Sequence, residues 1–151
     1  MIREEQLQSN TLTTSSKLKD YLQLVKPNLS FLVVFSSVIG YLLAPNIIFE
    51  IKPVLLLFLA GFLVTSGANI INQIIERNSD KLMKRTAVRP LPEGRMQLPE
   101  AIALCILTSV SGFLVMYYGF NPTAAYVSLF SSLVYGFAYT PLKKIHPICI
   151  L

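Results

Sequence analysis

The chain has 151 residues, 53% of them hydrophobic and only 14% charged, with a net charge of +5 at neutral pH. An ordinary soluble domain carries about 25% charged residues, so the composition speaks against a soluble globular protein and for one that resides in lipid. The basic excess does not indicate nucleic-acid binding, because a nucleic-acid module would not carry the long apolar segments found here.

The first 20 residues are polar, with a Thr/Ser-rich stretch at 11–16, and are expected to form a cytoplasmic tail. They differ from a secretory signal peptide, in which a basic start runs at once into a short apolar core. Residues 18–25 are expected to lie along the membrane surface before Lys26-Pro27 opens a first span over 29–44, which Pro45 closes. A second apolar segment begins at Pro53, stays apolar to Ala68 and turns polar on one face to Ile75. A third covers 101–118 and a fourth 123–139; a fifth is expected to begin in the closing stretch His146-Pro-Ile-Cys-Ile-Leu. Each of the four supplies the roughly 17–20 residues that cross a hydrocarbon core, the first with help from flanking side chains. The predicted fold is therefore all-α, a polytopic membrane helical bundle of four transmembrane helices and the start of a fifth, without internal repeats. With a cytoplasmic N-terminus, all of the 13 Lys and Arg except Lys52 fall on the inner side, in agreement with the positive-inside rule.

The end of the second segment carries the chemistry. Asn72, Glu76 and Asp80 recur every four residues, so on a helix their oxygens climb one face. Asn69 and Gln73 lie close to the same stripe. Ionisable groups at such a place are costly and usually functional, and Mg2+ is commonly held by one or two carboxylates together with substrate phosphates. The competing reading is a helix end that has left the bilayer and merely wears polar residues. The loop after the stripe holds Lys81, Lys84, Arg85, Arg89 and Arg95, stiffened by Pro90 and Pro92, which stop a helix, and turned at Gly94. Guanidinium groups offer paired donors to phosphate oxygens, so carboxylates, a metal and arginines together suit a diphosphate. Inner loops are basic in any case; that explains the sign of the charge but not the spacing of the carboxylates.

On the third and fourth segments the candidates are fewer. Tyr117 and Tyr118 fit an interfacial aromatic belt. Ser128, Ser132 and Gly136 recur every four residues, which lets another helix approach closely. Tyr139 should sit at the depth of the acidic stripe, where its ring could stabilise a forming carbocation, and Lys143 could meet a phosphate there. Cys105 and Cys149 read as ordinary apolar-face residues, and the single His146 lacks the partners that a haem or zinc site needs.

These motifs, Asn72-x-x-x-Glu76-x-x-x-Asp80, Met83-x-Arg85-Thr86-x-x-Arg89-Pro90-Leu91 and Tyr139-Thr-x-Leu-Lys143, resemble the UbiA superfamily of intramembrane prenyltransferases. Met83-Lys-Arg85-Thr86, Glu76, and Gln73 directly after the Asn, where other branches generally have Asp, are most similar to its haem O synthase branch. The resemblance runs from about Asp20 to the end of the chain. It implies Mg2+ on Asn72, Glu76 and Asp80 and the diphosphate of farnesyl diphosphate held by Lys84, Arg85, Arg89, Arg95 and Lys143. Arg85, Arg89, Lys143 and Tyr139 would take the catalytic roles, and the farnesyl group would pass to a vinyl group of haem b in the lipid bilayer of a bacterial inner membrane. The superfamily fold continues through further spans to a second Asp-rich motif absent before Leu151. Residues 21–151 are thus expected to be the N-terminal, truncated part of such a domain, with little activity alone. The alternatives are the same chemistry on another acceptor, such as a quinone precursor, or a non-catalytic helical remnant.

Overall fold

Pro27 determines where the first helical stretch bends. In the computed structural model, which describes residues 16–140 and residue 142, residues 16–25 form helix α1 and Pro27–Leu42 form α2. Proline offers no N–H to the carbonyl four residues back and disfavours helical backbone in the residue before it. Lys26 accordingly leaves the right-handed helix, with φ 51°. Four further helices follow: α3 (Ile51–Asp80), α4 (Pro90–Glu93), α5 (Leu98–Gly119) and α6 (Pro122–Leu133). The last runs on into a π-helical turn, Val134–Tyr139. Helices α2, α4, α5 and α6 each carry proline in the first turn, where a missing N–H leaves no bond unmade.

Among the described residues every regular element is helical, as expected. Three stretches are long and apolar enough to cross a membrane: Ser16–Leu42, Ile51–Asp80 and Leu98–Gly119. The expected fourth span is helical but not regular, since α6 changes to π geometry at Val134; the start of the expected fifth lies outside the described residues. Helix α3, at 30 residues, is about 45 Å long and exceeds a ~30 Å hydrocarbon core by several turns.

Helices α3 and α5 form the central pair, and Gly112 lets them touch. A Cβ at that position would stand 2.8 Å from Val64 Cγ2 and 2.9 Å from the Val64 backbone nitrogen. Helix α2 lies against α3, and α6 against α5 and α3. The spaced small residues of α6 and the π turn face inward: Gly136 is buried against Ile71, while Ser128 and Ser132 line a small cavity with Val64, Ser109 and Phe113. Two buried clusters hold the ends of the bundle together. Leu24, Ile70, Leu91, Met96, Ala101 and Cys105 gather beside the polar half of α3; Ala60, Met116 and Ala125 gather at the other end, backed by Phe113, Tyr117 and Phe120. Leu32, Leu55, Leu107 and Phe130 are exposed along the helices, the apolar surface that a bilayer would cover.

Helix α1 is not a free surface helix. Its Leu24 is fully buried in the first cluster, Asp20 pairs with Arg95, and the Tyr21 hydroxyl donates to Glu100. It is thereby strapped across the ends of α3 and α5.

Candidate functional site

The polar half of α3 is buried. Asn72, Glu76 and Asp80 keep 8%, 9% and 4% of their surface; a helix end dressed for water would expose them. Asn69 and Gln73, on neighbouring positions of the helix, are buried as well, but they meet different partners. Gln73 Nε2 donates to the carbonyls of Leu24 (2.7 Å) and Gln23 (3.3 Å). Asn69 Nδ2 donates to Val25 O and to Ser30 Oγ, and Ser30 Oγ in turn donates to Val25 O. Helix α3 thus supplies the donors that the Pro27 bend removed from the backbone. These two amides hold the α1–α2 junction and do not extend the carboxylate stripe. The sequence contains the signal that finds them: a proline that orphans carbonyls, and two amides four residues apart on a buried helix.

At the top of the stripe Asn72 Oδ1 accepts a hydrogen bond from Thr140 Oγ1 at 3.1 Å. Thr140 is fully buried and also lies 3.0 Å from Tyr135 O. It follows directly on the π turn, whose wider winding brings the hydroxyl to α3 while Gly136 rests on Ile71. In the sequence Thr140 stands inside the motif Tyr139-Thr-x-Leu-Lys143 with no local pattern to mark its role. Beside it Tyr139 stacks on Tyr135, with ring centres 5.4 Å apart.

At the bottom of the stripe the chain doubles back. Turns linked by Met83 N–Asp80 O, Thr86 N–Met83 O and Arg89 N–Thr86 O bonds carry it around, and Thr86 Oγ1 donates to Asp80 O at 3.2 Å. The result is an ion pair: Arg89 Nη1 lies 2.6 Å from Asp80 Oδ2, with side-chain exposures of 25% and 5%. Pro90 and Pro92 were expected to stop a helix; instead Pro90 opens the single turn of α4, where its missing N–H is harmless. That turn ends on Gly94, whose φ of 83° suits glycine. Leu91 and Met96 anchor this return in the core.

The remaining expected residues divide clearly. Lys84 and Arg85 are on the exposed side of the loop. Arg95 is not at the stripe: its guanidinium pairs with Asp20 and Glu93 and donates to Val88 O. Lys143, His146 and Cys149 lie outside the described residues. Cys105 is a core residue, its Sγ 3.7 Å from Gly67 O, in keeping with an ordinary apolar position. Among the described residues no group of three or more His, Cys, Asp or Glu gathers, so a cation at the stripe would draw on Glu76, Asp80 and the amide oxygen of Asn72. That all-oxygen set fits a hard divalent ion, whose remaining positions water or phosphate oxygens fill. Asn72 Oδ1 has a second lone pair beyond the one that Thr140 meets.

Fold and site together define a helical membrane protein with a buried, oxygen-rich acidic stripe and a basic return loop at one end of its bundle. Comparison with known proteins makes this particular: the UbiA prenyltransferase family matches residues 33–151, and the chain belongs to that family. It is 43% identical to the protoheme IX farnesyltransferase of Cytophaga hutchinsonii, over 90% of this chain and 48% of that protein. It is 42% identical to the protoheme IX farnesyltransferase of Christiangramia forsetii, over 91% and 45%. With the mitochondrial protoheme IX farnesyltransferase of Arabidopsis thaliana it shares 40% identity, over 85% and 30%. The chain spans about half the length of the bacterial relatives it matches, and less of the plant protein. No solved structure matches it.

Proposed function

We infer that the chain serves the transfer of a farnesyl group from farnesyl diphosphate to a vinyl group of haem b, the reaction that makes haem O. The observation that carries this reading is the buried stripe Asn72–Glu76–Asp80 with Arg89 folded back onto Asp80 at 2.6 Å. The relatives' shared name supports the choice of donor and acceptor. The proposed orientation puts this end of the bundle at the cytoplasmic side, with the segment 123–139 as a fourth span.

In this reading Asn72, Glu76 and Asp80 would hold Mg2+, which would supply charge neutralisation for the diphosphate. Thr140 would hold the Asn72 oxygen in place for the ion through its hydrogen bond. Arg89 turns from Asp80 to the diphosphate, and Lys84, Arg85 and Lys143 add positive charge as the allylic C–O bond breaks and both its electrons leave with the diphosphate. Arg95 reaches the diphosphate only by leaving Asp20 and Glu93. Tyr139 lends its ring face to the allylic cation. The vinyl group attacks that cation through its terminal carbon; water adds to the inner carbon and loses a proton, giving a hydroxyethylfarnesyl side chain. The apolar groove formed by Ile71, Ile74, Ile75, Ile106 and Phe137 beside the stripe keeps water from the cation before the new bond forms.

The test is binding of the inert analogue farnesyl thiodiphosphate to the chain in nanodiscs. Binding should require Mg2+ and be lost in Asp80→Asn and Glu76→Gln; binding indifferent to both would overturn the reading. Mass spectrometry of products formed with haem b or a quinone precursor decides the acceptor.

A further inference from the structure

Arg95 meets three partners, and one of them belongs to the residue next to Arg89. Its guanidinium pairs with Asp20 on α1 and, through Nε at 2.8 Å, with Glu93 on α4, while Nη2 donates to Val88 O at 2.8 Å. The Val88 carbonyl lies in the same rigid peptide plane as the Arg89 nitrogen. That nitrogen donates to Thr86 O at 3.1 Å, so the plane is gripped at both ends. On its other side Arg89 is followed by Pro90, which favours extended backbone in the residue before it, and Arg89 has φ −70° and ψ 154°. The Arg89 backbone is therefore held from both sides. Only side-chain rotation remains, the freedom that Arg89 needs to lie on Asp80 at 2.6 Å or to turn from it.

Asp20 joins this grip to the bundle. Glu93 and Val88 both belong to the return that Arg95 itself ends, so bonds to them fasten the loop only to itself. Of the three partners Asp20 alone comes from a distant element, and α1 is fixed in turn by buried Leu24 and by the Tyr21 bond to Glu100. The Asp20 side chain is 6% exposed and that of Arg95 34%. An Arg95 that turned to a diphosphate would strand this buried carboxylate, at a large cost. A planar guanidinium, with its fork of donors, suits three acceptors held at once.

We propose that Arg95 is a positioning residue with Asp20 as its anchor. Together they hold the Arg89 backbone so that its guanidinium serves Asp80 and, in the prenyl-transfer reading on which this last part rests, the diphosphate. Asp20→Asn keeps the shape and removes the charge; Arg95→Met keeps the apolar stem and removes all three bonds. The first readout needs no ligand. With isotope-labelled arginine, the Arg89 guanidinium resonance, assigned by its absence in Arg89→Ala, should exchange its protons with water about fivefold faster in either variant. The second is binding of farnesyl thiodiphosphate in nanodiscs at saturating Mg2+. Each variant should bind about 3–10-fold more weakly than the parent, whereas in an Arg89→Ala background neither substitution should change affinity by more than about twofold. A bundle damaged by the substitution, or an Arg95 that itself touched the diphosphate, would weaken binding in both backgrounds. Unchanged Arg89 exchange, unchanged binding, or losses that persist in the Arg89→Ala background would each overturn the proposal. A parent chain that binds no analogue would overturn the prenyl-transfer reading instead, and the Arg89 resonance would then decide the role of Arg95 alone.

Discussion

Arg89→Ala should move two affinities in opposite directions. The Asp80 side chain is 5% exposed and that of Arg89 25%, so truncation strands a carboxylate with little water around it. Breaking a fully buried pair costs about 3–5 kcal/mol; with the arginine a quarter in solvent, about 2 kcal/mol is the reasonable figure. That cost burdens the ligand-free state and is relieved when a cation reaches Asp80. Mg2+ alone should therefore bind the variant more tightly, by up to about thirtyfold. Farnesyl thiodiphosphate at saturating Mg2+ should bind it about 10–100-fold more weakly, because charge-assisted bonds of about 1.5–3 kcal/mol are lost. Arg77→Ala is the control: Arg77 follows Glu76 directly and so projects about 100° away from it around the helix, and its loss should leave both affinities within about threefold. Isothermal titration in nanodiscs measures each quantity. Equal losses in the two variants, or weaker Mg2+ binding by Arg89→Ala, would refute the assignment of Arg89 to both partners.

Thr140→Val should lower Mg2+ affinity about fivefold through loss of one hydrogen bond to Asn72, and Thr140→Ser should restore it; titration of the three proteins checks this. Gln73→Leu removes both donors to the Gln23 and Leu24 carbonyls, so amides 18–30 should exchange faster by about 1–2 kcal/mol of opening energy, read by hydrogen-exchange mass spectrometry. Gly112→Ala should lower thermal stability by about 1–3 kcal/mol, since its Cβ would press on the Val64 backbone. Gly67→Ala should cost less, because the nearest obstacle is the Ser109 hydroxyl, which can rotate away; melting in detergent should rank the two, and the reverse order would contradict the α3–α5 packing.

The composition and the four apolar segments made an all-helical membrane protein legible, because burial in lipid demands long apolar runs whatever their neighbours. The spacing of Asn72, Glu76 and Asp80 was equally legible, since helical periodicity alone puts them on one face. Periodicity could not separate them from Asn69 and Gln73, which share that broad arc; only the position of α1 shows that those amides serve the carbonyls freed by Pro27. Nor does a cationic loop reveal which arginine turns inward. Arg89 reaches Asp80 while Arg95 crosses to Asp20, a division set by the turns of residues 81–89 and by burial of Leu91 and Met96. Thr140 reaches Asn72, 68 positions earlier, because the π turn rewinds the end of α6. By itself the sequence determined the inventory of apolar lengths and helical faces, which are properties of neighbouring residues. Which polar group meets which partner was decided by tertiary contact alone, because a hydrogen bond or ion pair depends on distances that no local pattern encodes.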